Sequence, residues 1–229
     1  MKIKIYARNK EKIPCLKNKI LKLNSEVKFS NKPEIIICFG GDGTVLHAEK
    51  LHPQIPKLII RDQSICKSCN TGNLGDVLKK FFENKYVIEE EPKIQAITNN
   101  KKLTATNDIV IRNADQHHAI RFEVKSGKQK KEAIGDGVVI ATPFGSTAYY
   151  NSITRETITK GIGIAFNNST KKIKPINTNQ KIIFKLKRNK AYLTSDNYSK
   201  KIILKEGDEV IIQESKEKFK VIKIKKWHK

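Results

Sequence analysis

Three stretches of the chain gather residue types that can handle phosphate and ribose. FGGDGT at 39–44 follows the apolar run Ile35, Ile36, Ile37, Cys38, Phe39 and opens a helical pattern. A strand-to-helix turn of this kind aims main-chain N–H groups and the positive end of a helix dipole at what lies before it, which suits an anion. Gly40, Gly41 and Gly43 let the backbone approach such an anion with no side chain between, and Thr44 closes the loop. Asp42 needs a reason of its own, because phosphate repels a carboxylate. It can take a proton from an acceptor hydroxyl or help to hold a divalent cation. GDG by itself is a common tight turn; the whole GGDGT after an apolar strand is the stronger signal.

The other two stretches are TNDIVI at 106–111 and GDGVVIATPFGSTAYYNS at 135–152. The amide and carboxylate of Asn107 and Asp108 can read ribose hydroxyls and a base edge, and Tyr149 offers a flat apolar wall. Tyr149 and Tyr150 can equally be helix packing, and only one of the two need face a pocket. NTGNLG at 70–75 is a further turn-rich segment. Just before it, Cys66 and Cys69 form a CxxC pair that could be half of a zinc site or a redox pair. No second pair or nearby His completes four ligands, so no metal site is assigned.

Those residues must be carried by regular elements. Lys2 to Ala7 alternates like a strand, and Ile13, Leu16, Ile20 and Leu23 sit at helical spacing. Glu34 to Phe39 suits a parallel strand buried on both faces. Thr44 to Leu51 reads as a helix, Lys57 to Arg61 as a strand, and Asp76 to Asn84 as a helix with Val77, Leu78, Phe81 and Phe82 inward. Alternating strands and helices predict an α/β layer. From about Lys93 the pattern turns to short β-type runs: KIQAIT, LTATNDIVIRN, AIRFEVK, EAIGDGVVIAT, KIIFKLK, KIILK, EVIIQES and KFKVIKIK. One helix is expected among them, from near Ser146 through Tyr150, with GST as turn and hydroxyl cap. The boundary falls near residue 94, giving an α/β domain over 1–94 and a β-rich domain over 95–229 that are expected to share a cleft.

Composition narrows the partners. With 229 residues and 38% hydrophobic content, the chain can bury a core of its own. No run reaches the roughly 18 apolar residues of a membrane span, and MKIKIYARNK alternates where a signal peptide would be apolar, so a soluble, cytoplasmic protein is expected. Four cysteines are too few for a secreted disulfide framework of this length. Lys and Arg number 46 against 23 Asp and Glu, a net charge of +23 that attracts polyanions. The charge is spread along the chain and is mostly Lys, which suits a solvated surface better than base reading, so nucleic acid is not an expected partner.

Taken together, the motifs resemble those of the NAD kinase family. GGDGT alone is similar to the phosphate loop of 6-phosphofructokinases and of diacylglycerol and sphingosine kinases as well. The segment at 135–152 resembles the long signature DGxxxSTPTGSTAYxxS, which those relatives lack; NTGNLG and TNDIVI resemble two further family motifs in the same order. The resemblance covers roughly residues 35–152 well. It implies a Rossmann-like α/β domain with a parallel sheet, a β-sandwich second domain, and an active site between them. The implied reaction is phosphoryl transfer from ATP or polyphosphate, with Mg²⁺ or another divalent cation, to the adenosine-ribose 2′-hydroxyl of NAD. Asp42 is then the base, with Gly43 beside it. Asn107 and Asp108 bind the dinucleotide, Asp136 contacts its nicotinamide half, and Thr147, Ala148, Tyr149 and Ser152 line the adenine and ribose pocket. Family members are commonly homo-oligomers. The sequence departs from the family at Asp76, where an aromatic usually stands, at Phe144 in place of Thr or Ser, and at Asn197 in a late DGQ-like segment. A catalytically silent NAD(P)- or nucleic-acid-binding relative, or a lipid or other small-molecule kinase, is the alternative.

Overall fold

The computed structural model of the protein describes residues 1–60, 73–196 and 198–225. Arg61, Asp62, Cys66, Cys69, the first three residues of NTGNLG and Asn197 lie outside the described residues. The elements in chain order are β1 (Lys2–Ala7), α1 (Lys12–Leu23), β2 (Lys28–Phe29), β3 (Ile35–Phe39), α2 (Asp42–Leu51), β4 (Lys57–Ile60) and α3 (Leu74–Phe82). They continue with β5 (Tyr86–Thr98), β6 (Lys101–Ala105), β7 (Asp108–Asn113), β8 (Ile120–Ser126), β9 (Gln129–Gly135) and β10 (Gly137–Ala141). A single 3₁₀ turn (Gly145–Thr147) precedes α4 (Tyr149–Thr154). The chain ends with β11 (Ile162–Asn167), β12 (Ile176–Thr178), β13 (Ile182–Arg188), β14 (Ala191–Ser195), β15 (Ile202–Leu204) and β16 (Glu209–Ile224). Among the described residues no helix is long and apolar enough to cross a membrane.

Two compact units result. The first comprises Met1–Glu91 and the chain end from Lys218, because the last residues of β16 pair with β4. In its sheet β2, β1, β3, β4 and the end of β16 run parallel in that order, and β5 pairs with β16. Parallel strands need cover on both faces, and every residue of β3 is buried. Alternate residues Ile3, Ile5, Ile35, Ile37, Phe39, Leu58 and Ile60 pack with Leu16 and Ile20 of α1 and Val77, Leu78 and Phe81 of α3. On the opposite alternation, Ile36, Cys38 and Ile59 are fully buried, and α2 lies against β3 and β1 with Val45, Leu46 and Ala48 inward.

That second layer also buries a charge. Lys57 of β4 is fully buried and its ammonium pairs with the Glu49 carboxylate of α2, while donating to the His52 carbonyl at 2.6 Å. A buried ammonium is tolerable only when paired and hydrogen-bonded, so the pair locks the end of α2 to β4. Burial pushes the neighbouring Cys38 thiol up to about 12, with Glu49 adding to the shift and Lys57 opposing it, so this cysteine is an inert core residue.

The second unit, Pro92–Glu217, is a sandwich of two antiparallel sheets. One has the order β12, β11, β10, β7, β14, β15; the other runs β9, β8, β13 and the start of β16, with the β5–β6 hairpin. Ile109, Ile111, Val138, Ile140 and Leu193 from the first face Phe122, Val124, Phe184, Leu186 and Ile212 from the second. The outer face of the first sheet is capped by Tyr150 of α4, which packs on Val110, Val139, Ala141 and Ala165.

Several runs read differently in three dimensions. EVIIQES and KFKVIKIK are one strand, β16, so the charged residues between them make no turn. LTATNDIVIRN breaks at Thr106 and Asn107, and EAIGDGVVIAT breaks at Asp136. Strands β11 and β14 lie in stretches whose sequence pattern is weak. The expected helix from Ser146 begins three residues later, because Ala148 leaves helical backbone at φ −101°, ψ −117°. Nor does a hydroxyl cap α4: the Ser146 hydroxyl donates to Pro143 O at 2.8 Å and accepts from the Ile158 N–H at 3.1 Å, stitching the loop.

Candidate active site

In the first unit the loop leaves β3 at Phe39, and Gly40 donates its N–H to the Ile60 carbonyl at 3.0 Å. Gly41 is the N-cap residue of α2 and Asp42 its first helical residue. Thr44 N–H reaches back to Gly41 O at 3.0 Å, which tightens the first turn. A Cβ on Gly40 would press on the Thr44 hydroxyl at 2.5 Å, so this position is glycine for packing. On Gly41 or Gly43 a Cβ would meet nothing within 4 Å among the described residues. Among the described residues those two glycines face open space, which is what a backbone approach to a ligand requires.

The predicted loop residues Gly40, Gly41, Asp42, Gly43 and Thr44 are therefore together, at the amino end of a helix. An open cavity of about 700 Å³ lies over the turn, lined among others by Tyr6, Arg8, Lys10, Asp42, Thr44 and His47. Sequence reasoning missed Arg8 and Lys10. The available signal was their place after β1, since ligands of open parallel sheets bind beyond the carboxyl ends of strands. Tyr6 is held from the side: its hydroxyl meets His52 Nε2 at 3.0 Å and its ring stands edge-on to His47 at 5.6 Å. Burial, with Lys4 and Lys57 adding, lowers the His52 pKa, which favours the neutral ring in this contact. Among the described residues no three His, Cys, Asp or Glu side chains gather as a metal cage. A magnesium ion shared between one carboxylate and phosphate oxygens fits this donor set.

In the second unit Asn107 sits in the break between β6 and β7, and Asp108 starts β7; both are buried. The loop Thr142–Ser146 closes over this break. Thr142 donates its N–H to Asn107 O at 2.9 Å and its hydroxyl to Thr106 O at 2.6 Å, then accepts from Gly145 N–H at 3.0 Å. Gly145 lies so close that a Cβ would overlap the Asn107 backbone. The Asn107 side-chain oxygen is buried, and among the described residues no donor reaches it. An orphan of this kind costs about 1–3 kcal/mol, which a ligand donor could return.

The carboxylate of Asp196, just past β14, accepts the N–H groups of Thr106 (3.0 Å), Asn107 (2.7 Å) and Asp108 (3.3 Å). Burial, and then the Asp196 charge, push the Asp108 carboxyl up to about 7. Burial also raises Asp196, opposed by its three backbone hydrogen bonds and by Lys93. Asp196 was missed in the sequence, where only its neighbour Asn197 drew notice.

The remaining predicted residues form a second group. Asp136 is half-buried and its carboxylate accepts from Asn168 Nδ2 at 3.2 Å. Next to it in sequence, Asn167 donates its side-chain amide to the Tyr149 hydroxyl at 3.2 Å. A two-residue asparagine step thus joins Asp136 to Tyr149, a link that the motif alone does not reveal. Thr147 and Ala148 make the turn before Tyr149 and are half-buried. Ser152 is exposed, and its hydroxyl is spent on Tyr149 O at 2.7 Å. Of the two tyrosines, Tyr150 is the packing residue and Tyr149 is half-buried with its hydroxyl engaged.

Comparison with known proteins completes the picture. Residues 106–224 match the ATP-NAD kinase C-terminal domain family. The NAD kinase of Sulfurisphaera tokodaii is 30% identical over 237 residues, spanning 97% of this chain and 95% of the relative. The solved NAD kinase from Archaeoglobus fulgidus in complex with ATP superposes with a TM-score of 0.82 at 20% identity, over 98% of this chain and 94% of that one. Yeast NADH kinase complexed with NADH gives 0.83 at 15% identity, over 97% and 83% of the two chains. At such identities the two structures speak for the shared fold. With a domain matched over half of its residues and a relative matched along nearly its whole length, the chain belongs to the NAD kinase family.

Proposed function

We propose that the chain transfers a phosphoryl group from ATP or inorganic polyphosphate to the 2′-hydroxyl of the adenosine ribose of NAD, giving NADP. The observation that carries the reading is the presence of Asp42, Arg8 and Lys10 on one cavity at the amino end of α2. Phosphoryl transfer asks the protein to align donor and acceptor and to stabilise charge on the transferred group. Arg8, Lys10 and the helix N-terminus supply positive potential for the donor phosphates, and Asp42 takes the proton of the attacking hydroxyl. Magnesium, when bound with the donor, neutralises charge on its phosphates. Asn107 and Asp108 bind the dinucleotide, Tyr149, Thr147, Ala148 and Ser152 line its base and ribose, and Asp136 meets its nicotinamide half.

The direct test incubates purified protein with NAD, Mg²⁺ and either ATP or polyphosphate, and detects NADP with an NADP-specific dehydrogenase. NADP formed with either donor supports the reading and names the donor. NAD binding with no NADP from either donor overturns it in favour of a silent NAD-binding relative. A homo-oligomeric state and a cytoplasmic location belong to the same reading, and are checked by light scattering and by cell fractionation.

A further inference from the structure

The break between β6 and β7 leaves three consecutive amides, those of Thr106, Asn107 and Asp108, outside the regular strand ladder. All three are satisfied by one carboxylate, Asp196, which is itself buried. The geometry is reciprocal, because the Asp196 N–H donates back to Asp108 O at 2.8 Å. Asp196 adopts φ +48°, a left-handed conformation that Asp tolerates better than most residues and that turns the chain directly after β14. From the opposite side, Thr142 holds the carbonyls of Thr106 and Asn107, and Gly145 packs on the Asn107 backbone. Every backbone group of Asn107 is thus held, while its side-chain oxygen, buried, has no donor among the described residues. A main chain clamped this completely around an unmatched acceptor is organised for a ligand, since folding would otherwise favour a residue with no orphan oxygen.

We propose that Asp196 is a positioning residue for the dinucleotide: its carboxylate clamps the Thr106–Asp108 backbone so that Asn107 presents its side-chain oxygen to a hydrogen-bond donor of NAD. The inference rests on the NAD kinase reading and deepens it, since Asp196 touches no substrate and acts through Asn107 and Asp108. A consequence for pH follows. Burial and then the Asp196 charge raise Asp108, while the Lys93 charge opposes the effect of burial on Asp196. Removing the Asp196 charge lets Asp108 ionise at lower pH, so any inflection in NAD affinity set by Asp108 near neutrality moves down.

The test is calorimetric titration of NAD into wild-type protein and Asp196→Asn from pH 5.5 to about 8.5, beside steady-state kinetics with both substrates varied. Asp196→Asn removes charge-assisted bonds to the amides, so the Kd and KM for NAD rise by about tenfold or more while the KM for the donor stays put. The pH inflection of NAD binding shifts downward. A role in fold stability alone would lower the active fraction and leave both the remaining affinity and its inflection in place. That outcome overturns the proposal while the kinase reading stands. Wild-type protein that neither binds nor phosphorylates NAD overturns the kinase reading itself, and this inference with it. If Asp196→Asn does not fold, amide hydrogen exchange of the wild type decides. Protection of the Asn107 and Asp108 amides without NAD, increasing when NAD is added, is expected; exchange at the rate of open loops in both states overturns the clamp.

Discussion

Two glycine-bearing loops, one around Gly41 and Gly43 and one around Gly145, use glycine for opposite reasons. Around Gly41 and Gly43 there is open space: a methyl group would touch nothing within 4 Å among the described residues. Around Gly145 there is none, because a Cβ would run into the backbone of Asn107, and Gly137, at φ +135°, is pressed against the Ile111 carbonyl. In the first loop glycine leaves a bare surface among the described residues. In the second it lets two main chains touch, so that the groups to be presented are set by packing. The first unit thus sets its predicted residues on an open cavity, and the second buries Asn107 and Asp108 at the edge of a core.

The contrast is broken most directly at Asp42. If its loop is a bare, solvent-facing catalytic surface, Asp42→Asn lowers kcat by about a hundredfold or more, the loss of a general base, with NAD affinity and thermal stability nearly unchanged. Steady-state kinetics and a melting curve check both halves of the statement. Near-normal turnover would remove Asp42 from catalysis.

At the buried site the corresponding signature is in stability versus pH. The Asp108 carboxyl has a folded pKa of about 7 against an ordinary value of 3.8, a shift caused by burial and by the Asp196 charge. A raised carboxyl binds its proton more tightly in the folded state. Its stabilising contribution is therefore full below pH 4 or so and is lost as pH rises through 7, at no more than about 1.4 kcal/mol per pH unit. Asp196, also raised by burial, acts in the same direction. Denaturant unfolding at several values from pH 5 to 8 should show wild-type stability falling, and Asp108→Asn should flatten that fall. An equal slope in the variant would place the effect elsewhere.

The glycines give the next effect. Gly145→Ala overpacks the Asn107 backbone and costs about 1–3 kcal/mol, seen as a lower melting temperature. Gly41→Ala meets no neighbour and leaves melting almost unmoved, while raising the KM for the phosphoryl donor by placing a methyl group where phosphate approaches. Were both variants to melt alike, the two loops would not differ as described.

How much of this was legible in the sequence follows the same division. The parallel layer was readable because its strands are continuous apolar runs and its helices are amphipathic: β1 was read at its observed ends, and β3 and α2 within a residue or two. The GGDGT turn was equally plain, since its signal lies in the residues themselves. The second site was half legible. Its motif residues could be named, but the Asp196 clamp, the Thr142 stitch and the Asn167–Asn168 link are contacts between residues 18 or more apart in sequence, and no local period encodes them. Strands β11 and β14 escaped for a similar reason. Gly163 in β11 is there to admit the Tyr150 ring, a tertiary demand that weakens the local strand pattern.

Asp76 offers the smallest effect and tests how far the bare surface extends along the first unit. The residue stands where the family usually has an aromatic, yet it has a local task in the structure. Asn73 is the N-cap of α3, accepting the Asp76 N–H at 2.9 Å, and its side-chain amide donates to the Asp76 carboxylate at 2.7 Å. The Asn73 cap and its side-chain pair with Asp76 hold the first turn of α3, where the acid also meets the positive end of the helix dipole. Asp76→Ala should therefore cost about 0.3–1 kcal/mol, a shift of a few degrees at most in melting. Asp76→Phe should carry the same cost. If the side chain at 76 reaches the base, the aromatic also adds stacking worth about 1–3 kcal/mol, and NAD binds roughly one to two decades more tightly by calorimetry. The two variants separate the roles, since both lose the side-chain bond from Asn73 to residue 76 and only one gains a ring. Equal NAD affinity in Ala, Phe and wild type would confine Asp76 to the first turn of α3 and leave adenine recognition to residues of the second unit.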